Sequence, residues 1–264
     1  MFENLLSRIR HLPASGFNEK GPLSADVYAI RGETAWWIFD VGACDEAADF
    51  INSLPCEVSA DESSAGDSIA GESRDGTARR LQRNIVISHF HRDHFFNLPR
   101  VHFDNLYVGR ETFRHCDETI RALGTRGCSR SSSSSVTVVE SPLQFDDGIR
   151  VQIMPIPNSH AKGSLVFVVG DAPARGSSDA PSRGVRDSIA FLGDSTYPTV
   201  GHNGPDSYNA QLLLEQIRFL KSLDAKSFIM SHRRFLPREK DTVIQFLEGI
   251  YEHRKLGENL IFEF

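Results

Sequence analysis

Short apolar stretches alternate with amphipathic stretches along most of this chain, and this alternation predicts its secondary structure. Runs rich in β-branched and aromatic residues are typical of buried strands, and they occupy positions 27–30, 35–39, 85–88, 105–109, 136–140, 149–155, 164–169, 188–192 and 227–230. Helical spacing of apolar residues predicts helices over 45–54 and 111–123, a third capped by Asp206 or Ser207, and a fourth beginning at Pro237. Strands joined both by hairpin turns and by helices indicate a layered protein of the α/β class.

Three segments depart from this pattern and are predicted to be flexible insertions. Residues 59–77 consist mainly of Ser, Ala, Gly, Asp and Glu, residues 129–135 are a serine-rich run, and Pro, Gly and Ser interrupt residues 172–187. Such segments bury too little apolar surface to offset the entropy that is lost when they become ordered. Since they interrupt the pattern as loops do, we expect residues 1–264 to form a single domain.

A histidine-rich motif directly follows one of the predicted strands. The sequence HFHRDH, residues 89–94, offers four potential metal ligands within six positions: His89, His91, Asp93 and His94. Because side chains alternate between faces in an extended strand, the first two histidines are expected to point the same way. A turn after them would carry the aspartate and the last histidine to a second, adjacent position. The motif therefore predicts a metal site.

Three more ligand candidates lie where other predicted strands end. His160 precedes the strand at 164–169, Asp194 follows the one at 188–192, and His232 follows Ser231 at the end of another. Taken singly, each has an ordinary interpretation as a loop or turn residue. Their position after apolar strands places them at one edge of a layered protein, and their occurrence in order after the histidine motif makes them ligand candidates.

These motifs together resemble the metallo-β-lactamase superfamily in its dinuclear hydrolase form, over about residues 24–235. The first aspartate of that family matches Asp40 in the sequence FDVG, and its later motifs match the candidates above in order. Two departures are local: Asn158-Ser159 replaces the usual Pro-Gly before His160, and Ser and Arg replace the glycines that flank His232. No ligand position is lost.

The resemblance implies a four-layer αββα sandwich with two metal ions at one edge of the sheets. One ion would be bound by His89, His91 and His160, and the other by Asp93, His94 and His232, with Asp194 bridging both. Asp93 and Asp194 are also the candidate catalytic carboxylates, and Asp40 is expected to orient a ligand or to be a simple turn residue. Imidazole and carboxylate ligands suit zinc, with iron or manganese as alternatives.

The implied activity is that of a metal-dependent hydrolase. A hydroxide that bridges two ions would attack a small ester, thioester or lactone. The alternatives are a phosphodiesterase or nuclease on the same dinuclear site, or an iron-dependent oxidoreductase such as a persulfide dioxygenase. Tyr197 and His202 are open candidates, since each can be a contact of the substrate or an ordinary surface residue.

Charge and composition narrow the expected partners. The chain carries 29 Lys and Arg against 35 Asp and Glu, which disfavours nucleic-acid and membrane-surface partners. No apolar stretch approaches membrane-spanning length, and residues 1–12 lack the apolar segment of a signal peptide. The four cysteines, at 44, 56, 116 and 128, show no C-x-x-C spacing. We therefore expect a cytoplasmic protein that acts on a small-molecule substrate, in an oligomeric state that the sequence leaves open.

Overall fold

The structure is a computed structural model that describes residues 2–16, 23–57, 80–125, 134–171, 188–200, 204–233 and 236–262. The predicted insertions at 59–77 and 172–187 lie outside the described residues, as do residues 129–133 of the third. The end of that third segment does not match its prediction. Ser135 begins a strand, because its backbone joins the neighbouring strand and its N–H donates to the carbonyl of Asp104 at 2.9 Å.

The first half of the chain forms one six-stranded sheet. Its strands in spatial order are β1 (Ile9–Leu12), β2 (Val27–Arg31), β3 (Ala35–Phe39), β4 (Gln82–Val86), β5 (Asn105–Val108) and β6 (Ser135–Val138). The first three strands pair antiparallel, and β3 to β6 pair parallel. The helices of this half are α1 (Phe2–Ser7), α2 (Asp45–Asn52), α3 (Arg92–Phe95) and α4 (Arg110–Thr125), with a 3-10 turn at Leu98–Arg100.

The second half forms another six-stranded sheet. Its strands in spatial order are β13 (Arg238–Glu239), β12 (Ser227–Ile229), β10 (Ser188–Phe191), β9 (Leu165–Asp171), β8 (Ile149–Pro155) and β7 (Leu143–Asp146). Of these neighbours, β10 and β12 pair parallel and the others pair antiparallel. Helices α5 (Ala210–Ser222) and α6 (Lys240–Glu252) belong to this half, and β11 (Tyr208–Asn209) pairs with β14 (Leu260–Ile261).

Alternation of buried side chains along the strands gives the order of the layers. In β3, Trp37 and Phe39 pack with Phe167 of the second sheet, whereas Ile38 faces the other way and packs with Ile51 of α2. In β9 the residues beside Phe167 likewise face outward, onto α5 and α6. Each sheet is thus buried on both faces, which explains the continuous apolar character of these strands. The predicted αββα sandwich is confirmed.

The predicted starts of the last two helices are wrong by a few residues. Helix α5 is capped by Asn209, whose side-chain oxygen accepts a hydrogen bond from the backbone N–H of Leu212 at 3.0 Å. Helix α6 begins at Lys240, because the two residues after Pro237 pair with β12 as a short edge strand. Within the described part of the chain, none of the helices is both long and apolar enough to cross a membrane.

The direction of the strands positions the site. Strands β3 and β4 run parallel in one sheet, as do β10 and β12 in the other, so the loops that follow them meet at one edge of the sandwich. Asp40, Ser88, Asp194 and His232 all lie in these loops. Asp40 contacts Ser88, and Asp194 contacts His232, although the residues of each pair are far apart in the sequence.

Candidate metal centre

The structure brings all seven predicted ligand residues together at this edge, in two groups. Within each group, one potential ligand atom of every residue lies within 4.8 Å of the others. The three-histidine group contains His89, His91 and His160, and the Asp/His group contains Asp93, His94, Asp194 and His232. These groups correspond to the two ligand sets that the sequence resemblance implies.

The histidine motif supplies ligands to both groups because its backbone changes conformation part of the way along. Strand β4 ends before the motif, and His91 is still extended, with φ −72° and ψ 139°. Helix α3 then begins at Arg92, so Asp93 and His94 lie on a helical turn. The change from extended to helical backbone sends the first two ligands to one group and the last two to the other.

Asp40 lies behind the ligands and orients two of them. Its Oδ1 accepts a hydrogen bond from the backbone N–H of Ser88 at 2.7 Å, and its Oδ2 accepts from Ser88 Oγ at 2.8 Å and from His94 Nδ1 at 2.7 Å. Because the Ser88 proton is directed to Asp40, Ser88 Oγ can accept from His89 Nδ1 at 3.0 Å. These bonds keep a proton on Nδ1 of both histidines, so Nε2 is the atom of each ring that can bind an ion.

The ring of His160 is also oriented by a hydrogen bond at Nδ1, in this case with a backbone carbonyl. Its Nδ1 donates to the carbonyl of Pro198 at 2.9 Å, and its Nε2 lies 3.0 Å from Nδ1 of His91. The loop that carries it packs directly on the end of β5. A Cβ added to Gly109 would lie 1.8 Å from the carbonyl oxygen of Gly163, so this close approach requires glycine at position 109.

Asp194 faces both groups. Its Oδ2 lies 3.3 Å from Nε2 of His94, 3.4 Å from Nε2 of His232 and 3.6 Å from Nε2 of His160. Buried Gln216 of α5 holds the turn that follows, since its Nε2 donates to the carbonyl of Ser195 at 2.7 Å. The pattern of apolar residues in α5 predicted the helix but gave no indication of this contact.

His232 adopts φ 63°, a conformation that residues with a Cβ rarely occupy. Its backbone N–H donates to Oδ2 of the buried Asp26 at 2.6 Å, and its Nε2 lies 3.2 Å from Oδ2 of Asp93. Sequence reasoning missed Asp26, which belongs to no motif. Its position before a predicted strand is the only signal that the sequence offers.

Burial keeps His89 and His91 of the three-histidine group neutral. It lowers the pKa of His89 well below the usual value, with the neighbouring His94 adding to the effect. Burial and the nearby His160 lower the pKa of His91 to about 4. Neutral imidazoles are the form that binds a divalent metal ion, so at neutral pH these side chains need lose no proton to do so.

The Asp/His group has the opposite electrostatic character. Burial acts to lower the pKa of His232, but hydrogen bonds with Asp194 and Asp93 outweigh it and raise the pKa to about 9. Burial alone would raise the pKa of Asp194, yet the charge of His94 and the hydrogen bond with His232 hold it well below its usual value. Without an ion, protonated histidines therefore compensate the two carboxylates.

The donor atoms fit a pair of divalent cations. His89 Nε2 and Asp194 Oδ1 are buried and have no hydrogen-bond partner within the described part of the chain. A buried polar atom without a partner is costly, and a cation beside these two atoms would satisfy both. Five imidazoles with two carboxylates are a ligand set for zinc or another borderline divalent ion.

A cavity of about 540 Å³ opens over the two groups. Its wall includes the apolar side chains Leu23, Pro198 and Val200, and Arg233 as a cation. The candidate Tyr197 also lines it, but its hydroxyl donates to the carbonyl of Ser231 at 2.6 Å and accepts from Arg233 Nε at 3.2 Å. The other open candidate, position 202, lies outside the described residues.

Comparisons with known proteins find likeness at the level of structure. No family model and no curated protein sequence matches the chain. A B3 metallo-β-lactamase with an active-site glutamic acid is 13% identical, with a TM-score of 0.53 and 96% of each chain covered. A metallo-β-lactamase from Pontibacter korlensis is 12% identical, with a TM-score of 0.53, and covers 94% of this chain and 96% of its own.

A third similar structure comes from a larger protein. A flavo di-iron protein variant from Thermotoga maritima is 16% identical, with a TM-score of 0.51. The match covers 88% of this chain, which spans 54% of the length of that one. The layered architecture, the His/Asp cluster at the edge of the sheets and these structural matches agree, and together they show that the chain has the metallo-β-lactamase fold.

Proposed function

We propose that this protein is a metal-dependent hydrolase that binds two divalent ions, zinc in the first instance, and cleaves a small ester, thioester or lactone. The observation that carries the proposal is the arrangement of seven potential metal ligands in two groups, with five of these ligands lining an open cavity. The three-histidine group would hold one ion and the Asp/His group the other. Two such ions supply an activated water and stabilise negative charge on the substrate oxygen.

The residues of the chain prepare the site for that chemistry. Asp40 and the carbonyl of Pro198 keep the protons of His94 and His160 on Nδ1, away from the ligand atoms. Asp194 stays a carboxylate at neutral pH and faces both groups, so it is suited to bridge the ions. Asp93, whose pKa is also lowered by His232 and His94 against the effect of burial, adds a second negative charge beside it.

The cavity supports a small substrate. Its volume lies within the range of about 300–1,000 Å³ that is usual for small-molecule sites. Leu23 and Val200 offer apolar contacts near its mouth, and both are exposed in the structure. Arg233 supplies a positive charge beside the ligands, so an acyl substrate with an apolar part and an anionic group fits this wall.

A combined metal and activity measurement tests the proposal. The purified protein would be analysed for bound metals and screened against esters, thioesters, lactones and phosphodiesters. We expect about two ions per chain and turnover of at least one acyl substrate. Turnover of phosphodiesters alone would replace the proposed reaction with the phosphodiesterase alternative, and a protein that binds no divalent ion would overturn the proposal.

The structural likeness to a flavo di-iron protein favours one second candidate, an iron-dependent oxidoreductase. Imidazole and carboxylate ligands also accept iron, so the ligand set does not decide between the two reactions. Bound iron together with consumption of oxygen in the presence of a persulfide would support oxidation. Zinc or manganese with hydrolysis, and no consumption of oxygen, would support the hydrolase.

A further inference from the structure

A fully buried aspartate that belongs to neither group of ligands forms a hydrogen bond with one ligand residue. Asp26 lies just before β2, and its Oδ2 accepts a hydrogen bond from the backbone N–H of His232 at 2.6 Å. Its Oδ1 accepts from His11 Nε2 at 2.7 Å and from the backbone N–H of Ala14 at 3.2 Å. Both carboxylate oxygens therefore accept hydrogen bonds, Oδ2 from a ligand residue of the site and Oδ1 from β1 and the residues after it.

The hydrogen bond that Asp26 accepts comes from the backbone of His232, a residue with a strained conformation. His232 has φ 63°, and such a conformation persists only where the surrounding structure holds it. The same residue presents Nε2 to Asp93 and Asp194 at 3.2 and 3.4 Å. Because the conformation of the backbone determines where the imidazole points, the hydrogen bond to Asp26 acts on the part of His232 that directs its ring.

The residue beside Asp26 makes a second bond to the same group. The backbone N–H of Ala25 donates to the backbone carbonyl of Asp93 at 3.0 Å. Two consecutive residues thus hold the backbones of two members of the Asp/His group. The histidines of the other group are oriented by different residues, His89 by Ser88 and His160 by Pro198.

His11 of β1 holds Asp26 in place through its hydrogen bond to Oδ1. It pairs with Tyr28 in the register of β1 and β2, and the two rings stack with their centroids 4.7 Å apart and an angle of 11° between their planes. Its side chain is 13% exposed, so the bond to Asp26 is largely shielded from water. The pairing of the first two strands therefore fixes the position of the carboxylate.

We propose that Asp26, held by His11, is a positioning residue that sets the affinity of the ion in the Asp/His group while leaving the ion in the three-histidine group unchanged. This inference rests on the proposed function, in which each group holds one divalent ion. Substitution of residues that orient a ligand usually weakens metal affinity about 10- to 100-fold. Here the loss is expected at one of the two ions only.

Zinc binding by matched variants tests this directly. Metal-free wild-type protein, Asp26→Ala and Asp26→Asn are titrated with Zn²⁺ in a metal buffer, and bound zinc is counted. We expect about two ions in the wild type, and in Asp26→Ala one tight ion and a second weakened about 10- to 100-fold. Asp26→Asn keeps an oxygen that can accept from His232, so it should recover part of the affinity.

Asp147 provides a control of the same kind. It is also a buried aspartate, and it accepts from the backbone N–H of Thr34 at 2.6 Å and from Trp37 Nε1 at 2.9 Å. Asp147→Ala should lower the melting temperature and keep both zinc affinities. Equal weakening of the same ion in Asp147→Ala would show that Asp26 has a merely structural role.

Second substitutions identify which ion is affected. Adding His232→Ala to Asp26→Ala should weaken the second ion less than His232→Ala does in the wild type, because Asp26 acts through that ligand. Adding His91→Ala should instead weaken the tight ion. If Asp26→Ala does not fold, His11→Ala takes its place, with a smaller weakening of the same ion. Two unchanged zinc affinities in the folded variant overturn the positioning role alone. A wild type that binds neither zinc nor any other divalent ion overturns the proposed function itself.

Discussion

Asp194 illustrates how the chemistry of single residues determines the proposed site. It is nearly buried, it stays ionised because His94 and His232 offset the effect of burial on its pKa, and it faces both groups of ligands. A buried carboxylate without such histidines beside it would tend to be protonated.

Replacing Asp194 with alanine should remove one of the two ions. The carboxylate would no longer offset the repulsion between the cations, whereas three histidines are by themselves a sufficient zinc ligand set. We expect about one ion per chain, a retained fold and a loss of activity on the order of 10² or more. Metal analysis, circular dichroism and kcat/KM measure the three effects, and a variant with two tight ions and normal turnover would refute the bridging role.

Replacing Arg233 with alanine should change recognition of the substrate more than the chemical step. The side chain is exposed, so its attraction for an anionic group is partly screened, and KM for an anionic substrate should rise about 3- to 10-fold with little change in kcat. Lys162→Ala is the matched control, since this exposed cation is not among the residues that line the cavity. An equal effect of the two substitutions would count against a role for Arg233.

At the scale of elements, the site depends on where strands end. The loops after β3, β4, β8, β10 and β12 carry its ligands and the aspartate that orients them, while β3, β4, β10 and β12 are buried on both faces. A segment that neither lies in these loops nor contacts them should therefore be removable without loss of the site. The predicted insertion at 59–77 provides the test.

Replacing residues 59–77 with a short Gly/Ser linker should leave both the fold and the metal content intact. The flanking residues Glu57 and Arg80 form an antiparallel bridge, and the N–H of Leu81 donates to the carbonyl of Cys56 at 2.7 Å, so a few residues can join them. The entropy of closing a loop changes only slowly with its length. Loss of both metals, measured by elemental analysis of the folded variant, would show that the segment belongs to the site.

At the scale of the whole molecule, the proposed ions join the two sheets. The three-histidine group takes His89 and His91 from the first half of the chain and His160 from the second, and the Asp/His group is divided in the same way. Ions bound at these positions therefore connect the halves of the sandwich. They also stabilise the folded state, since the ligands are far apart in the unfolded chain.

Removal of metal with a chelator should lower the melting temperature. Ligands that bind only the folded state stabilise it in proportion to the logarithm of their concentration, and a fall of about 5–10 °C is expected for a chain of this size. Calorimetry before and after treatment with EDTA measures the change, and added zinc should reverse it. Asp194→Ala should show a smaller fall, and an unchanged melting temperature in the wild type would contradict metal binding.

The sequence by itself determined the α/β class, most of the strands and the identity of the candidate ligands. Buried strands such as Ala35–Phe39 and Ser188–Phe191 were predictable because their short apolar runs have few other uses in a folded chain. The ligand candidates were visible because four of them fall within six residues after such a run, and the others follow in order along the chain. The short edge strand β1, by contrast, carries Arg10 and His11 among its four residues and has no pattern of its own.

Only the tertiary structure decided which side chains support the ligands. The contacts of Asp26 with His232 and of Asp194 with His160 join residues that are far apart in the sequence, and no local pattern encodes them. The cap at Asn209 and the late start of α6 also depend on neighbouring segments that compete for the same backbone groups. Sequence patterns record what each element must bury, whereas the meeting of five loops at one edge follows from how the two sheets pack.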